Sequence, residues 1–311
     1  MRIPPKNKSI KNVYQTQINA NPCLSGRQAT QIYADNKLSN LRRSACNLRP
    51  SALKNIFPKK QLGQNFLADQ NIRRKIVVAC AFKPNDIVLE IGAGKGEMTA
   101  LIAEQVKKLY ALEIDKRLLP LLEGSLKEHA NIKIINTDIL KFNLNKITGK
   151  KIKVIGNIPY YISSPILESL FKFREKIETV FITVQKEFAE RVVCAPGSKV
   201  YGSLSCFAQY YSQPRILFSI PKGCFYPIPK VDSSFLRLDI REKSPLSLDK
   251  EKVLFKVIRS AFQQRRKTLR NSLRGVIPPG KLEIFLRQRG LDVNIRPECL
   301  ALEDFIRLMD F

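Results

Sequence analysis

Residues 86–115 read DIVLEIGAGKGEMTALIAEQVKKLYALEID. DIVLEI is a short apolar run with β-branched residues and reads as a buried strand. GAGKG turns the chain sharply, and EMTALIAEQVKKL carries apolar residues at helical spacing. LYALEI is a second strand that ends in carboxylates. A βαβ unit with glycines at its first turn and an acid after its second strand is a nucleotide-cofactor site. Gly92, Gly94 and Gly96 can take positive φ and let a ligand approach the backbone. Glu113 falls where a ribose offers two hydroxyls to a carboxylate.

The glycine spacing narrows the ligand. A dinucleotide fold usually has GxGxxG, with a helix N-terminus facing a pyrophosphate. Here the pattern is ExGxGxG, with Glu90 two residues before Gly92. An extra acid suits a ligand without phosphates that carries positive charge, as S-adenosylmethionine does on its sulfonium and ammonium groups. On this stretch alone, an ordinary glycine-rich turn in an α/β protein stays open.

The chain has 311 residues, enough for one large domain and a smaller one. Lys and Arg number 54 against 27 Asp and Glu, a formal charge of +27 with a single His. That balance points to a polyanionic partner, nucleic acid before membrane. No apolar run approaches the roughly 18 residues needed to span a bilayer. The seven cysteines are dispersed without a CxxC pair, which disfavours both a disulfide framework and a zinc site. The lone His129, in KEHANIK, reads as a surface residue rather than a general base.

Residues 1–57 carry ten Lys and Arg and one acid, Asp35, and lack sustained periodicity. They read as a basic, disordered extension. A transit peptide, an RNA-binding arm and a start placed too far upstream are three readings that stay open. From Pro58 the pattern becomes ordered. PKKQLGQNFL (58–67) leads into a helix at about 69–82, and on residue type alone is an ordinary helix entry. Strands follow at 133–139, ending at Asp138, at KIKVIGNIPY, and at 178–185, with a helix at 163–175 between. QPRILFSI (213–220) and KVDSSFLRLDI (230–240) are expected to pair antiparallel and give the sheet a mixed edge. In a parallel α/β sheet ligands gather at the carboxyl ends of the strands. Those ends hold GAGKG, Glu113, Asp138 and Asn157, and Asp138 is placed to accept from an adenine amino group.

NIPY (157–160) is the most informative tetrapeptide. Pro159 cannot donate to a ladder and stiffens the turn. The Asn157 side-chain oxygen and a carbonyl at Ile158 or Pro159 become fixed acceptors beside the flat face of Tyr160. Together they suit an exocyclic amine and its ring, although a proline turn with a structural Asn is the plainer reading. FYPIPK (225–230) would hold Phe225 and Tyr226 near the same face, or in the core. After about residue 244 only helices are expected. QQRRKTLRNSLR places Arg265, Arg266, Lys267, Arg270 and Arg274 within three turns of one helix, which suits phosphate contacts.

These pieces together resemble the ribosomal RNA adenine dimethyltransferases of the small subunit. The resemblance rests on QLGQNFL (61–67), LEIGAGKG (89–96), LEID (112–115), TDIL (137–140), NIPYYIS (157–163), QKEFAERV (185–192), FYPIPKVDSS (225–234) and FQQRRKTLRNSL (262–273). It runs from about Pro58 to the C-terminus and leaves only 1–57 outside. It implies a Rossmann-like S-adenosylmethionine-dependent methyltransferase sheet over 58–243 and a small all-helical RNA-binding domain over 244–311. It implies a methyl-donor site at Asn65, Leu67, Gly92, Glu113, Asp138 and Asn157. The target adenine is then held by Asn157, Pro159 and Tyr160, with Phe225 on the other face, and RNA by Arg265, Arg266, Lys267 and Arg270.

The implied reaction dimethylates N6 of two adjacent adenosines in a 3'-terminal hairpin loop of small-subunit rRNA, in immature subunits, without a metal. A monomer in the cytoplasm is expected, with mitochondrion or plastid as the alternative if 1–57 is a transit peptide. A large-subunit rRNA adenine methyltransferase and a non-catalytic RNA-binding assembly or organelle transcription factor are the rival readings.

Overall fold

A computed structural model of the chain describes residues 58–264 and 266–310. The basic extension 1–57 and Arg265 therefore lie outside the described residues. The first strand, β1 (Phe66–Leu67), belongs to a separate two-stranded sheet. β2 (Ile87–Ile91), β3 (Lys108–Glu113), β4 (Ile132–Asn136), β5 (Ile152–Asn157) and β6 (Ile177–Gln185) run parallel. β7 (Ser212–Ile220) is the last strand in space. β8 (Phe225–Tyr226) pairs antiparallel with β1, and β9 (Ser233–Ile240) lies antiparallel between β6 and β7. The seven-stranded order is 4-3-2-5-6-9-7. The expected mixed edge is present, with the later strand inserted inside the earlier one.

Alternation along the strands explains the layering. Leu89 and Ile91 of β2, Val154 of β5, and Val180 and Ile182 of β6 belong to one buried cluster. Their neighbours Val88, Ile155 and Phe181 belong to another. Successive strand side chains point to opposite faces, so a sheet with apolar residues at every position must be covered on both. On the second face sit α1 (Gln70–Cys80), whose N-cap Asp69 accepts from Asn71 and Ile72, and α2 (Glu97–Ala103). The small helix α3 (Leu119–Ser125) covers the β3 side through Leu122. The first face takes α4 (Ser163–Lys172), α5 (Lys186–Val193) and α6 (Ser203–Tyr211).

The remaining helices are α7 (Leu248–Phe262), α8 (Leu269–Ser272), α9 (Pro279–Gln288) and α10 (Leu302–Arg307). Their apolar sides, including Leu254, Phe285 and Phe305, join the same cluster as the first face. Buried Glu251 of α7 ties them down further. It accepts from the Tyr211 hydroxyl at 2.5 Å and from Ser244 Oγ at 3.0 Å, with Arg174 at 3.6 Å.

One sequence expectation is corrected here. The basic run after Phe262 is not a continuous helix. α7 stops at Phe262, Arg266 and Lys267 lie in the connection, and Arg270 sits on the four-residue α8. Leu269 and Leu273 are fully buried, and the Thr268 hydroxyl caps the new helix at Asn271. Burying those two leucines requires the chain to turn, and core contact overrides local helix propensity. Among the described residues no helix is long and apolar enough to cross a membrane.

Candidate functional site

The strand order reverses at β2, between β3 and β5, and a crevice opens there at the carboxyl ends. Gly92 and Ala93 donate to the Leu112 carbonyl at 2.9 and 3.0 Å, which fastens the glycine turn to β3. Gly94 then lies at φ +59°, and a Cβ there would meet the Phe66 ring at 3.3 Å. Its N–H donates to Glu113 Oε2 at 2.7 Å, while Asp115 N–H donates to Oε1 at 2.8 Å. The Ile114 N–H adds a third backbone interaction, so main-chain donors hold the carboxylate and the turn fixes its orientation. Burial raises the Glu113 pKa, opposed by the N–H groups of Asp115 and Gly94.

Glu90 is 3% exposed and its Oε2 has no hydrogen-bond partner. Burial pushes its pKa up to about 7, against the Thr99 hydroxyl, and the Glu113 carboxylate adds to the rise. A buried carboxylate oxygen at a cavity wall, with the Thr99 hydroxyl as its neighbour, can take a further donor.

The 61–67 segment folds over this edge. Asn157 Nδ2 donates to the Asn65 carbonyl at 2.7 Å, and Gln64 Nε2 to Asp115 Oδ2 at 3.1 Å. Arg117 holds Asp115 down to about 2, with Gln64 contributing. Arg73 donates to the Leu67 carbonyl at 2.5 Å and pairs with Glu97 at 2.9 Å. Gln64, Asn65 and Arg73 thereby clamp a segment that residue type alone left as a helix entry.

The NIPY turn selects its own acceptors. The Pro159 carbonyl accepts from Ile162 N–H at 3.2 Å and Ser163 Oγ at 3.3 Å, whereas the Ile158 carbonyl takes no part in that turn. With Nδ2 of Asn157 committed to Asn65, its oxygen is left as an acceptor. The Tyr160 hydroxyl shares a 2.6 Å hydrogen bond with Ser233 of β9, which fixes the ring, and burial raises its pKa.

These groups line an open cavity of about 840 Å³, bounded by Asn65, Gly92, Glu113, Asp138, Asn157, Pro159 and Tyr160. A second cavity of about 480 Å³ shares Gly92, Gly94 and Asn157 and adds Glu90 and Leu67. Asp138 lies beyond the end of β4, with Oδ1 capping the next turn at Leu140 N–H, 2.9 Å away. Ile114 and Ile139 flank it on the cavity wall. Acids beside apolar walls fit an adenosine, and the orphaned Glu90 oxygen fits a cationic group, so the lining suits S-adenosylmethionine.

Of the six residues expected at the donor site, Asn65, Gly92, Glu113, Asp138 and Asn157 line the first cavity, and Leu67 lines only the second. Phe225 stands apart: it is 2% exposed within the second-face cluster, so stacking on a base requires its ring to leave that cluster. Arg266, Lys267 and Arg270 are exposed, and Arg270 pairs with Glu283 at 3.0 Å. Sequence reasoning missed Phe66, Ile114, Ile139 and Tyr161 as cavity residues. Adjacency to Asn65, Glu113, Asp138 and Tyr160 was the one available signal for them.

A seven-stranded sheet of this order, with its glycine turn and strand-end acids, defines a Rossmann-like methyltransferase. Residues 57–311 match the family described as Ribosomal RNA adenine dimethylase. The chain is 43% identical over 265 residues to Ribosomal RNA small subunit methyltransferase A of Lachnoclostridium phytofermentans, covering 82% of this chain and 91% of that one. It is 42% identical to the protein of the same description from Levilactobacillus brevis, covering 81% and 89%. Among solved structures, a dimethyladenosine transferase from Plasmodium falciparum superposes with TM-score 0.70 at 26% identity, covering 78% and 95%. The 23S rRNA methyltransferase ErmE superposes with TM-score 0.66 at 25% identity, covering 79% and 98%. The chain belongs to the ribosomal RNA adenine dimethylase family.

Proposed function

We propose that this chain dimethylates N6 of two adjacent adenosines in a 3'-terminal hairpin loop of small-subunit rRNA, acting on immature subunits in the cytoplasm. Bound S-adenosylmethionine supplies an electrophilic methyl group on its sulfonium. Glu113 would hold the ribose hydroxyls, Asp138 the adenine amine between Ile114 and Ile139, and Glu90 the ammonium. The clamped 61–67 segment keeps water out.

The target amine is a poor nucleophile, because its lone pair is delocalised into the ring. Oδ1 of Asn157 and the Ile158 carbonyl would accept its two N–H bonds and turn the lone pair toward the reacting carbon. The Pro159 carbonyl, expected in that role from sequence, is already bonded twice and instead shapes the turn. Tyr160, fixed by Ser233, supplies a stacking face for a base taken out of its helix. Positioning is the main catalytic contribution, and holding reactants in register can supply about 7–11 kcal/mol in favourable cases. The methylated amine loses its proton to solvent, so no general base is needed. Residues 58–243 would carry this chemistry, and 244–311 would hold RNA through Arg266, Lys267 and Arg270.

The observation that carries the reading is the Asn157 amide, anchored through nitrogen with its oxygen free at the cavity wall. Small-subunit relatives at above 40% identity favour that target over the large-subunit one. Incubating the chain with labelled donor and unmodified small subunits, then mapping the methylated bases, tests it. Label confined to large-subunit RNA, or donor binding without transfer, would overturn it.

A further inference from the structure

The ladder between β1 and β8 sorts four side chains onto two faces. Leu67 lies opposite Phe225, and both are buried at 6% and 2% in the second-face cluster. Successive strand residues point to opposite sides, so Phe66 and its partner Tyr226 stand on the other face. Phe66 lines both cavities, whereas Tyr226 is 57% exposed. Directly opposed residues stand about 5 Å apart at Cβ, which puts Tyr226 one side chain beyond the cavity wall.

The surface around Tyr226 is unusual. Ile228 and Val231 are exposed at 66% and 44% in the same loop, with Lys222 and Lys230 exposed among them. Tyr161, on the same cavity, is 62% exposed. Exposed apolar groups gathered at a cavity mouth mark an interaction surface. Flat and aliphatic side chains interleaved with lysines suit one strand of nucleic acid, rings for bases and ammonium groups for phosphates. An adenine inside the cavity leaves its sugar and both phosphates at the mouth, and Tyr226, paired with the cavity residue Phe66, borders it.

We infer that Tyr226 is the platform on which the nucleotide next to the extruded adenine stacks, with Lys222 and Lys230 beside its phosphates. The inference rests on the function proposed above. It concerns the exposed member of two neighbouring aromatic residues, Phe225 being buried and Tyr226 open to the surface.

The test is steady-state methylation of unmodified small subunits by wild type, Tyr226→Phe, Tyr226→Leu and Tyr226→Ala, with donor affinity measured by calorimetry. KM for subunits should rise about tenfold in the Ala and Leu variants and stay near wild type in the Phe variant. kcat should fall less than KM rises, and the donor Kd should stay within about twofold. Subunits reconstituted with an abasic site beside the target adenine should cost wild type the same factor, and Tyr226→Ala nothing more. An unchanged KM for Tyr226→Ala, or losses that multiply, would overturn the inference and leave the proposed function intact. Absence of any small-subunit methylation by wild type would overturn both.

Discussion

Asn157 Nδ2 donates to the main-chain carbonyl of Asn65 at 2.7 Å, joining positions 92 residues apart in the chain. One amide therefore ties down the segment over the donor cavity with its nitrogen and presents an acceptor with its oxygen. Asn157→Ala removes both. Transfer should drop by at least about 100-fold, because misplacement of this order costs that much. Donor affinity should weaken by about tenfold or less, the worth of one hydrogen bond. Single-turnover kinetics beside calorimetry separates the two.

Asn157→Asp distinguishes the two halves of that amide. A carboxylate accepts but cannot donate, and it faces the Asn65 carbonyl. Hydrogen exchange at Gly63–Leu67 should quicken several-fold in this variant. Unchanged protection there would mean that the clamp depends on Gln64 and Arg73 alone.

Ser233 is fully buried and holds the Tyr160 hydroxyl at 2.6 Å. Ser233→Ala strands that hydroxyl in a half-buried position, at a cost of about 1–3 kcal/mol. A lower melting temperature should accompany a kcat reduced about tenfold, with donor affinity near wild type. Tyr160→Phe in the same background should restore most of the stability.

Glu90 gives the ligand-free protein a pH dependence of definite sign. Burial raises its pKa from 4.5 to about 7, so the folded state holds more protons than the unfolded state between those values. Its stabilising protonation is complete below about 4.5 and is lost as pH rises through 7, a change of about 3 kcal/mol. Glu90→Gln should flatten the fall in melting temperature between pH 5 and pH 8. A cationic donor favours the ionised form, so wild-type affinity for it should rise across the same window. The Gln variant should lack that rise.

Gly94→Ala tests the glycine turn. At φ +59° a side chain costs about 1–2 kcal/mol, and its Cβ would press on Phe66 at 3.3 Å. Donor affinity should fall at least about tenfold, read by calorimetry, with the rest of the fold intact.

Much of the cavity lining was legible because its parts are local. A glycine turn, an acid two residues after a strand and a proline after an asparagine each act through their own backbone. The basic run at 262–274 misled for the opposite reason. Its charges suggested one helix, while Leu269 and Leu273 are drawn into a cluster built from distant segments.

The order of residues alone determined the βαβ unit and the strand-end acids, since hydrophobic period and turn residues are short-range properties. The methyl-donor reading came with the family resemblance that the motifs carry. Tertiary structure decided which atoms are free to act. Only folding shows that the Pro159 carbonyl is already bonded and that Phe225 faces inward while Tyr226 faces out. Only folding shows that Asn157 turns its nitrogen to Asn65. Hydrogen-bond partners and burial are set by segments far apart in the chain, and no local pattern encodes them.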